Sequence, residues 1–344
     1  MTQHSNPDWS TFVRERVDAH LVAFFDKKRA QAERLSPRGL EMVNATAALT
    51  LRGGKRLRPL VLAAAYSAVN PEGDLADCIA AGASLELLQS YLLIHDDWMD
   101  RDEERRGGPA VHTMFREPGR DPHLADCLGV LTGDLAGTYA WELMAEAPFP
   151  RWRRDEGFEA FATLQIEVYF GQHLDVVADR DVERMHHLKT GSYTVRGPAQ
   201  LGAVLADANP DQVLALTGWA DPLGEAFQLR DDLLGTFAVE GTTGKPGDDL
   251  RHGKRTALIL EAEQRLDAAG RETLAKVFGR AEASDGEVAA TMEALVACGA
   301  KDALERRCAE LRDVALAAIG NGALASVGCA RLTELARRLT DRDR

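Results

Sequence analysis

The chain has 344 residues, of which 45% are hydrophobic and 28% are charged, and these values are typical of a globular protein with a large buried core. Its 41 Lys and Arg residues against 54 Asp and Glu residues give a formal net charge of -13, which argues against a nucleic-acid partner. The five cysteines include no CxxC pair, so neither a disulfide framework nor a zinc site is predicted. Because the N-terminus lacks the features of a secretion signal, a cytoplasmic location is expected.

Apolar residues recur at helical spacing along the chain, and alternating strand patterns are nearly absent. The sequence therefore predicts an all-α fold, with helices over residues 8–34, 37–50, 55–69, 75–101, 123–146, 151–179, 190–207 and 210–236 and shorter ones afterwards. No linker-like segment interrupts this pattern, so residues 1–344 are expected to form one domain, a large helical bundle. The uncharged stretch 314–330 is broken by glycines and is predicted to be two packed helical segments, which argues against stable membrane insertion.

The first functional candidate in chain order is the basic segment GGKRLRP at residues 53–59. Its three cations lie beside flexible glycines at a predicted helix start, where backbone N–H groups also favour anions. The segment therefore suits a diphosphate group. A basic loop considered alone is more often simply solvated.

Two predicted helices are apolar along their length and end in paired aspartates. In the first, DDWMD at residues 96–100, Asp96 and Asp100 are four positions apart, share one helix face and can bind a hard cation such as magnesium (Mg²⁺). The second, FQLRDDLLG at residues 227–235, repeats the pattern. The alternatives are a solvated acidic helix end paired with nearby arginines and, for the second, a helix end at which Gly235 supplies a left-handed turn.

Taken together and in order, these motifs resemble those of the trans-isoprenyl diphosphate synthases, the polyprenyl synthetase family, from about residue 50 to about residue 260. The matching segments are GGKRLRP at 53–59, DDWMD at 96–100 followed by Arg105-Arg106-Gly107, KTGSYT at 189–194, FQLRDD at 227–232, GKPGDDL at 244–250 and GKRT at 253–256.

The resemblance implies an antiparallel helical bundle of the isoprenoid synthase type around a deep apolar cavity, with the two acidic motifs facing each other at its mouth. It implies a homodimer with Mg²⁺ as cofactor. The resemblance assigns Asp96, Asp100 and Asp231 to Mg²⁺; Lys55, Arg58, Gln89 and Arg106 to isopentenyl diphosphate; Arg105, Lys189, Lys245 and Lys254 to the allylic diphosphate; and Thr190 and Gln228 to stabilising the carbocation.

The implied reaction is the head-to-tail (1'-4) condensation of isopentenyl diphosphate with an allylic diphosphate. Cationic groups and Mg²⁺ stabilise the departing diphosphate, which is also the expected base, so His95 is predicted either to support neighbouring site residues or to pack, and not to act as a catalytic base. One departure from the family pattern concerns the second acidic motif, commonly DDxxD, because this chain has Gly235 at the last position. Asp248 or Asp249 lies downstream, and activity is expected to survive.

Product length is expected to depend on Tyr91 and Leu92, five and four positions before Asp96. One aromatic at position 91 resembles enzymes that make C20 geranylgeranyl diphosphate more than those that make C15 farnesyl diphosphate, which is the second candidate product. A class I terpene cyclase would need no isopentenyl site, so GGKRLRP argues against it. A non-catalytic synthase subunit is opposed by the intact DDWMD, although Gly235 leaves that alternative open.

Overall fold

The computed structural model describes residues 8–177, 181–237 and 246–340, and these are almost entirely helical. The elements in chain order are α1 (Trp9–Leu35), α2 (Leu40–Leu51), α3 (Leu57–Val69), α4 (Ile79–Asp100), β1 (Glu104–Arg105), β2 (Gly108–Pro109), α5 (Val111–Met114), α6 (Pro122–Ala145), α7 (Arg151–Val176), α8 (Val182–His186), a π-helical segment (His187–Arg196), α9 (Gly197–Leu205), α10 (Pro210–Phe237), α11 (Asp248–Arg251), α12 (Ala257–Arg265), α13 (Ala268–Val277), α14 (Asp285–Ala297), α15 (Ala300–Ile319) and α16 (Ser326–Thr340). The all-α prediction is confirmed.

Most predicted helices agree with the observed ones to within a few residues, and one does not. The helix predicted over residues 190–207 is preceded by α8 and begins as a π-helical segment at His187. Three glycines explain this wide turn, because they let backbones come unusually close. A Cβ at Gly171 would lie 2.4 Å from the Lys189 nitrogen, and a Cβ at Gly224 would lie 3.0 Å from the Gly191 Cα. The periodicity of apolar residues does not reveal such backbone contacts. π-helical turns are often found at functional sites.

Backbone contacts group the chain into two compact units. The first comprises Met1–Phe161 and Pro198–Ala208, and the second comprises Ala162–Gly197 and Asn209–Arg344. In the first unit α4 packs along α6, and α1 packs against α2 and α4. The buried residues of α1 recur at helical spacing, as an amphipathic helix requires; they include Val13, Val17, Leu21 and Phe25.

In the second unit α10 packs along α15. Trp219 of α10 is fully buried, and Leu229 and Leu233 join a core that also contains Leu304 and Leu311 of α15. These contacts hold the C-terminal part of α10, which carries the second acidic motif. Leu229 and Leu233 thus anchor α10 on both sides of the aspartate pair Asp231 and Asp232.

Within the described ranges, one helical stretch, Leu75–Asp100, is long and apolar enough to cross a membrane, but 72% of its apolar window is buried inside the protein. It contains α4, a core helix of the first unit. The stretch 314–330 is divided as predicted, because α15 ends at Ile319 and α16 begins at Ser326.

Candidate active site

The first acidic motif occupies the last turn of α4. Asp96 is half-buried and Asp100 is exposed, and their spacing of four residues places both on one face of the helix. Gln89 lies two turns before Asp96 on the same face and is half-buried. The predicted magnesium pair and one predicted isopentenyl ligand therefore line a single stripe of α4.

The middle aspartate of this motif has a different role. Asp97 is completely buried, and its Oδ1 accepts a hydrogen bond of 2.7 Å from Arg105 Nε. Arg105 also donates to Asp102 at 3.0 Å. Burial raises the pKa of Asp97 to about 6, although the Arg105 guanidinium acts in the opposite direction. Asp97 therefore holds Arg105, a predicted diphosphate ligand, against the end of α4.

Arg105 and Arg106 are presented by a two-residue hairpin turn. Strand β1 pairs with β2 in the register Arg105 to Gly108, and the two residues between them, Arg106 and Gly107, have φ angles of 54° and 70°. Two consecutive positive φ angles define a type I′ turn, which favours glycine at the second position. The Arg52 side chain donates to the Arg105 carbonyl at 2.7 Å and fastens the hairpin to the end of α2.

The basic segment lies beside this hairpin. Arg106 donates to the Gly53 carbonyl at 3.2 Å, and a Cβ at Gly54 would lie 4.0 Å from guanidinium nitrogens of both Arg106 and Arg56. Lys55 is exposed. The structure thus brings the predicted isopentenyl ligands Lys55 and Arg106 to neighbouring backbone segments, although they are about fifty positions apart in the sequence.

Two of the three cations in the basic segment are buried rather than solvated. Arg58, in the first turn of α3, is 7% exposed. Arg56 is 3% exposed, and it donates to Asp18 at 2.7 Å, to Glu86 at 2.6 Å and to the Thr50 carbonyl at 3.0 Å. Arg56, which the resemblance assigns to no substrate, has a structural role, because its guanidinium joins α1, α2 and α4.

The predicted chain-length residues lie in the middle of α4. Tyr91 is half-buried, and its ring packs over α6, where a Cβ at Gly137 would lie 3.3 Å from the tyrosine ring. The ring also meets His95 edge-on at 4.8 Å. His95 Nε2 is 3.1 Å from the Val130 carbonyl, which agrees with the predicted packing role. Leu92 is half-buried and lies nearer to the face of Asp96 than Tyr91 does.

In the second unit, Lys189 lies in the π-helical segment and pairs with Asp175 of α7 at 2.5 Å. Burial lowers the pKa of the neighbouring His186 to about 4, and the positive charge of Lys189 acts in the same direction. The side chain of Thr190 and the whole of Lys245 lie outside the described part of the chain. Lys254 is exposed, and its ammonium is 3.6 Å from Asp249 Oδ1.

The second acidic motif uses its two aspartates differently. Asp231 is half-buried, whereas Asp232 is 3% exposed. Asp232 accepts hydrogen bonds from Gln228 Nε2 at 2.7 Å and from the Ala257 backbone N–H at 2.8 Å. Burial raises the pKa of Asp232 to about 7, against the effect of these bonds. The bond from Gln228 requires its nitrogen, so the Gln228 carbonyl oxygen is the end that points away from Asp232.

Mg²⁺ fits the donors that are present. Among the described residues, no group of three or more His, Cys, Asp or Glu side chains is assembled to hold a metal. Mg²⁺ characteristically binds through one or two carboxylates and completes its shell with water and substrate phosphates. The pair Asp96 and Asp100 has this character, and Asp231 adds a carboxylate in the second unit.

The buried partners of the charged residues in the basic segment and the acidic motifs were not predicted from the sequence. One signal was present: Glu86 is a single carboxylate inside the apolar run of α4, and a buried charge requires a partner. That partner is Arg56, at 2.6 Å. The roles of Asp97 and Asp232 had no such signal, because each is adjacent to a residue that does fit the metal pattern.

Comparison with known proteins is consistent with this geometry. A family model described as polyprenyl synthetase matches residues 41–295. The short chain isoprenyl diphosphate synthase of Methanocaldococcus jannaschii is 30% identical over 290 residues, which cover 82% of this chain and 81% of that protein. The geranylfarnesyl diphosphate synthase of Aeropyrum pernix is 32% identical over 302 residues, covering 85% and 87%.

Comparison with solved structures indicates the same family as the sequence comparisons. The structure of geranylgeranyl pyrophosphate synthase from Corynebacterium glutamicum, complexed with isoprenyl diphosphate and magnesium, matches with a TM-score of 0.88 and 32% identity, covering 97% of this chain and 99% of that one. The family match extends the similarity beyond the segment that carries the sequence motifs. The chain therefore belongs to the polyprenyl synthetase family and is a prenyltransferase, a short-chain trans-prenyl diphosphate synthase.

Proposed function

We propose that the protein catalyses the Mg²⁺-dependent head-to-tail (1'-4) condensation of isopentenyl diphosphate with an allylic diphosphate and releases C20 geranylgeranyl diphosphate. C15 farnesyl diphosphate is the second candidate product. The observation that carries the proposal is the contact between the Arg106 hairpin and the Gly53 carbonyl, which puts cationic groups beside the exposed Lys55. A second anionic substrate needs such a cluster, whereas an enzyme that only ionises one diphosphate does not.

In this proposal each group of residues has one task. Lys55, Arg58, Gln89 and Arg106 bind isopentenyl diphosphate, and Arg105, Lys189, Lys245 and Lys254 bind the allylic diphosphate. Asp96, Asp100 and Asp231 hold Mg²⁺, which supplies positive charge that stabilises the departing diphosphate. Asp97 acts indirectly, because its buried carboxylate fixes the Arg105 guanidinium.

The bond changes balance without any added base or oxidant. The allylic C–O bond breaks, and its electron pair leaves with the diphosphate. The double bond of isopentenyl diphosphate then forms the new C–C bond, and the diphosphate accepts the proton that is lost. Oxygen dipoles from Thr190 and Gln228 stabilise the intermediate carbocation, and for Gln228 this role is supported by its hydrogen bond to Asp232, which orients the carbonyl oxygen.

The C20 assignment rests on Tyr91 and Leu92 together with the name of the Corynebacterium glutamicum enzyme. The Aeropyrum pernix relative is named for a longer product, so C25 must be included in the test. The purified protein should be incubated with Mg²⁺, isopentenyl diphosphate and, in turn, dimethylallyl, geranyl or farnesyl diphosphate, and the products sized. A C20 product is expected from all three starters.

Other results of this assay would contradict the proposal. Products that stop at C15 or reach C25 would overturn the chain length alone. Release of diphosphate without consumption of isopentenyl diphosphate would indicate a terpene cyclase. Absence of any turnover would favour a non-catalytic subunit.

Three further properties belong to the same proposal. A single domain over residues 1–344 is supported by the family match, which includes residues of both compact units. A homodimer is supported by exposed apolar side chains on α4 and α6, and light scattering would test it; these are Trp98, Met99, Leu124 and Leu131. A cytoplasmic location belongs to the same proposal and is supported by the burial of Leu75–Asp100, the one stretch in the described part of the chain that is long and apolar enough to cross a membrane.

A further inference from the structure

The absence of a side chain at Gly235 leaves a space on α10 that another residue fills. A Cβ built on Gly235 would lie 1.9 Å from Asp249 Oδ2 and 2.6 Å from Asp249 Cγ. Both distances are far below van der Waals contact, so a side chain at position 235 and the present position of the Asp249 carboxylate exclude each other. The carboxylate of Asp249 occupies the space that the first side-chain atom of any larger residue at position 235 would need.

The space over Gly235 lies on the same face of α10 as the first aspartate of the acidic motif. Gly235 follows Asp231 by four residues, so the two share one face of the helix. The same spacing relates Asp96 and Asp100 on α4. A carboxylate lying over Gly235 therefore stands one helical turn beyond Asp231, although it comes from α11 and not from α10.

The rest of the Asp249 side chain is held in place. Its side chain is 19% exposed, and Oδ1 is 3.6 Å from the ammonium of Lys254. The neighbouring Asp248 differs, because its Oδ1 is 3.9 Å from Arg251 and its side chain is 39% exposed. Outside the adjoining residues and backbone of α10 itself, the three described atoms nearest to the site where a Gly235 Cβ would be built all belong to Asp249, at 1.9, 2.6 and 3.2 Å.

We propose that Asp249 supplies the carboxylate that the second acidic motif lacks at position 235, so that Asp231 and Asp249 together form the motif's Mg²⁺-diphosphate site. This inference rests on the proposed function. It decides between Asp248 and Asp249, the two downstream carboxylates, in favour of Asp249. It also makes Gly235 a requirement of the site, because any larger residue there displaces the carboxylate.

Two variants test the proposal by different routes. Asp249→Asn removes the charge and keeps the size of the side chain. Gly235→Ala keeps every carboxylate but pushes the Asp249 side chain aside, and alanine is the better residue for a helix interior. Because this gain in helix propensity opposes the cost of displacing the Asp249 carboxylate, Gly235→Ala should remain folded in thermal denaturation while it loses Mg²⁺-dependent diphosphate binding. Asp248→Asn is the matched control, one position away and outside the proposed site.

The primary readout is binding of inorganic diphosphate, titrated calorimetrically at several Mg²⁺ concentrations with the full-length protein. Asp249→Asn and Gly235→Ala should each weaken the Mg²⁺-dependent affinity by at least about tenfold, and Asp248→Asn should bind as the wild type does. The double variant Gly235→Asp with Asp249→Ala should recover part of the loss, since it returns a carboxylate to the same place. A residue with only a packing role would not be rescued in this way.

The proposal is overturned if Gly235→Ala or Asp249→Asn binds diphosphate with wild-type Mg²⁺ dependence, or if Asp248→Asn is as impaired as Asp249→Asn. Failure of the proposed function looks different. A wild-type protein that forms no prenyl product but binds diphosphate with Mg²⁺, and loses that binding in Asp249→Asn, would refute the reaction and support the site.

Discussion

The buried Arg56 gives the most direct energetic prediction. Its guanidinium is almost inaccessible and donates to Glu86, Asp18 and the Thr50 carbonyl. Arg56→Met keeps most of the side-chain volume and removes the charge. It leaves Glu86, which is 3% exposed, with a buried carboxylate and no counter-charge, whereas Asp18 is half exposed and can turn to water.

The expected loss of stability in Arg56→Met follows from the difference in burial between Glu86 and Asp18. Removing one partner of a buried ion pair costs about 3–5 kcal/mol, because the remaining charge is desolvated without compensation. We expect Arg56→Met to lower the free energy of unfolding by this amount in urea denaturation. The double variant Arg56→Met with Glu86→Leu should be more stable than Arg56→Met alone, because it removes the orphaned carboxylate as well.

An exposed arginine provides the control. Arg29 is 2.8 Å from Asp26 and both side chains are exposed, so Arg29→Met should cost less than about 1 kcal/mol. Because Arg56 also holds the backbone next to Lys55, the single variant should raise the KM for isopentenyl diphosphate. A loss of less than about 1 kcal/mol for Arg56→Met, or a double variant less stable than it, would refute the buried-pair reasoning.

Four further outcomes are expected. Asp96→Ala should lower turnover by at least about a hundredfold with an unchanged circular dichroism spectrum, because the proposed function places this half-buried carboxylate in the metal site and not in the core. Near-normal turnover would refute the metal assignment. Lys55 is exposed, and Lys55→Ala should raise the KM for isopentenyl diphosphate about tenfold and leave the KM for the allylic substrate unaltered. The opposite pattern would show that the two substrate sites are assigned the wrong way round. Tyr91→Ala should lengthen the product by one or more C5 units at a cost in stability of about 3 kcal/mol. An unchanged product from a folded variant would show that another residue limits product length. His186, whose pKa falls to about 4 on burial from an ordinary value of 6.5, stabilises the fold only while neutral. Stability should therefore decline as the pH falls from 6.5 towards 4, and it should decline less in His186→Gln; equal slopes would contradict the shift.

The local interactions that make this chain helical are visible in its sequence. The amphipathic spacing of α1 and the apolar runs of α4 and α10 predicted those helices to within a few residues, because helix formation depends on neighbours three and four positions apart. The same short-range rule placed Asp96 and Asp100 on one face. The π-helical segment around Lys189 was not predictable in this way, since it depends on backbone contacts through Gly171 and Gly224, which are distant in sequence.

The sequence by itself determined the helical class, most helix limits to within a few residues and the family, and it predicted which residues would bind diphosphate and magnesium. Only the tertiary structure decided which charged groups are buried in ion pairs and which are accessible at the surface. Arg56 and Lys55 are adjacent in the chain, yet one is locked between three helices and the other is exposed. Asp249 lies over Gly235 from fourteen positions away. Burial and long-range pairing set these roles, because the cost of an uncompensated charge depends on its surroundings in space, which adjacent residues do not share.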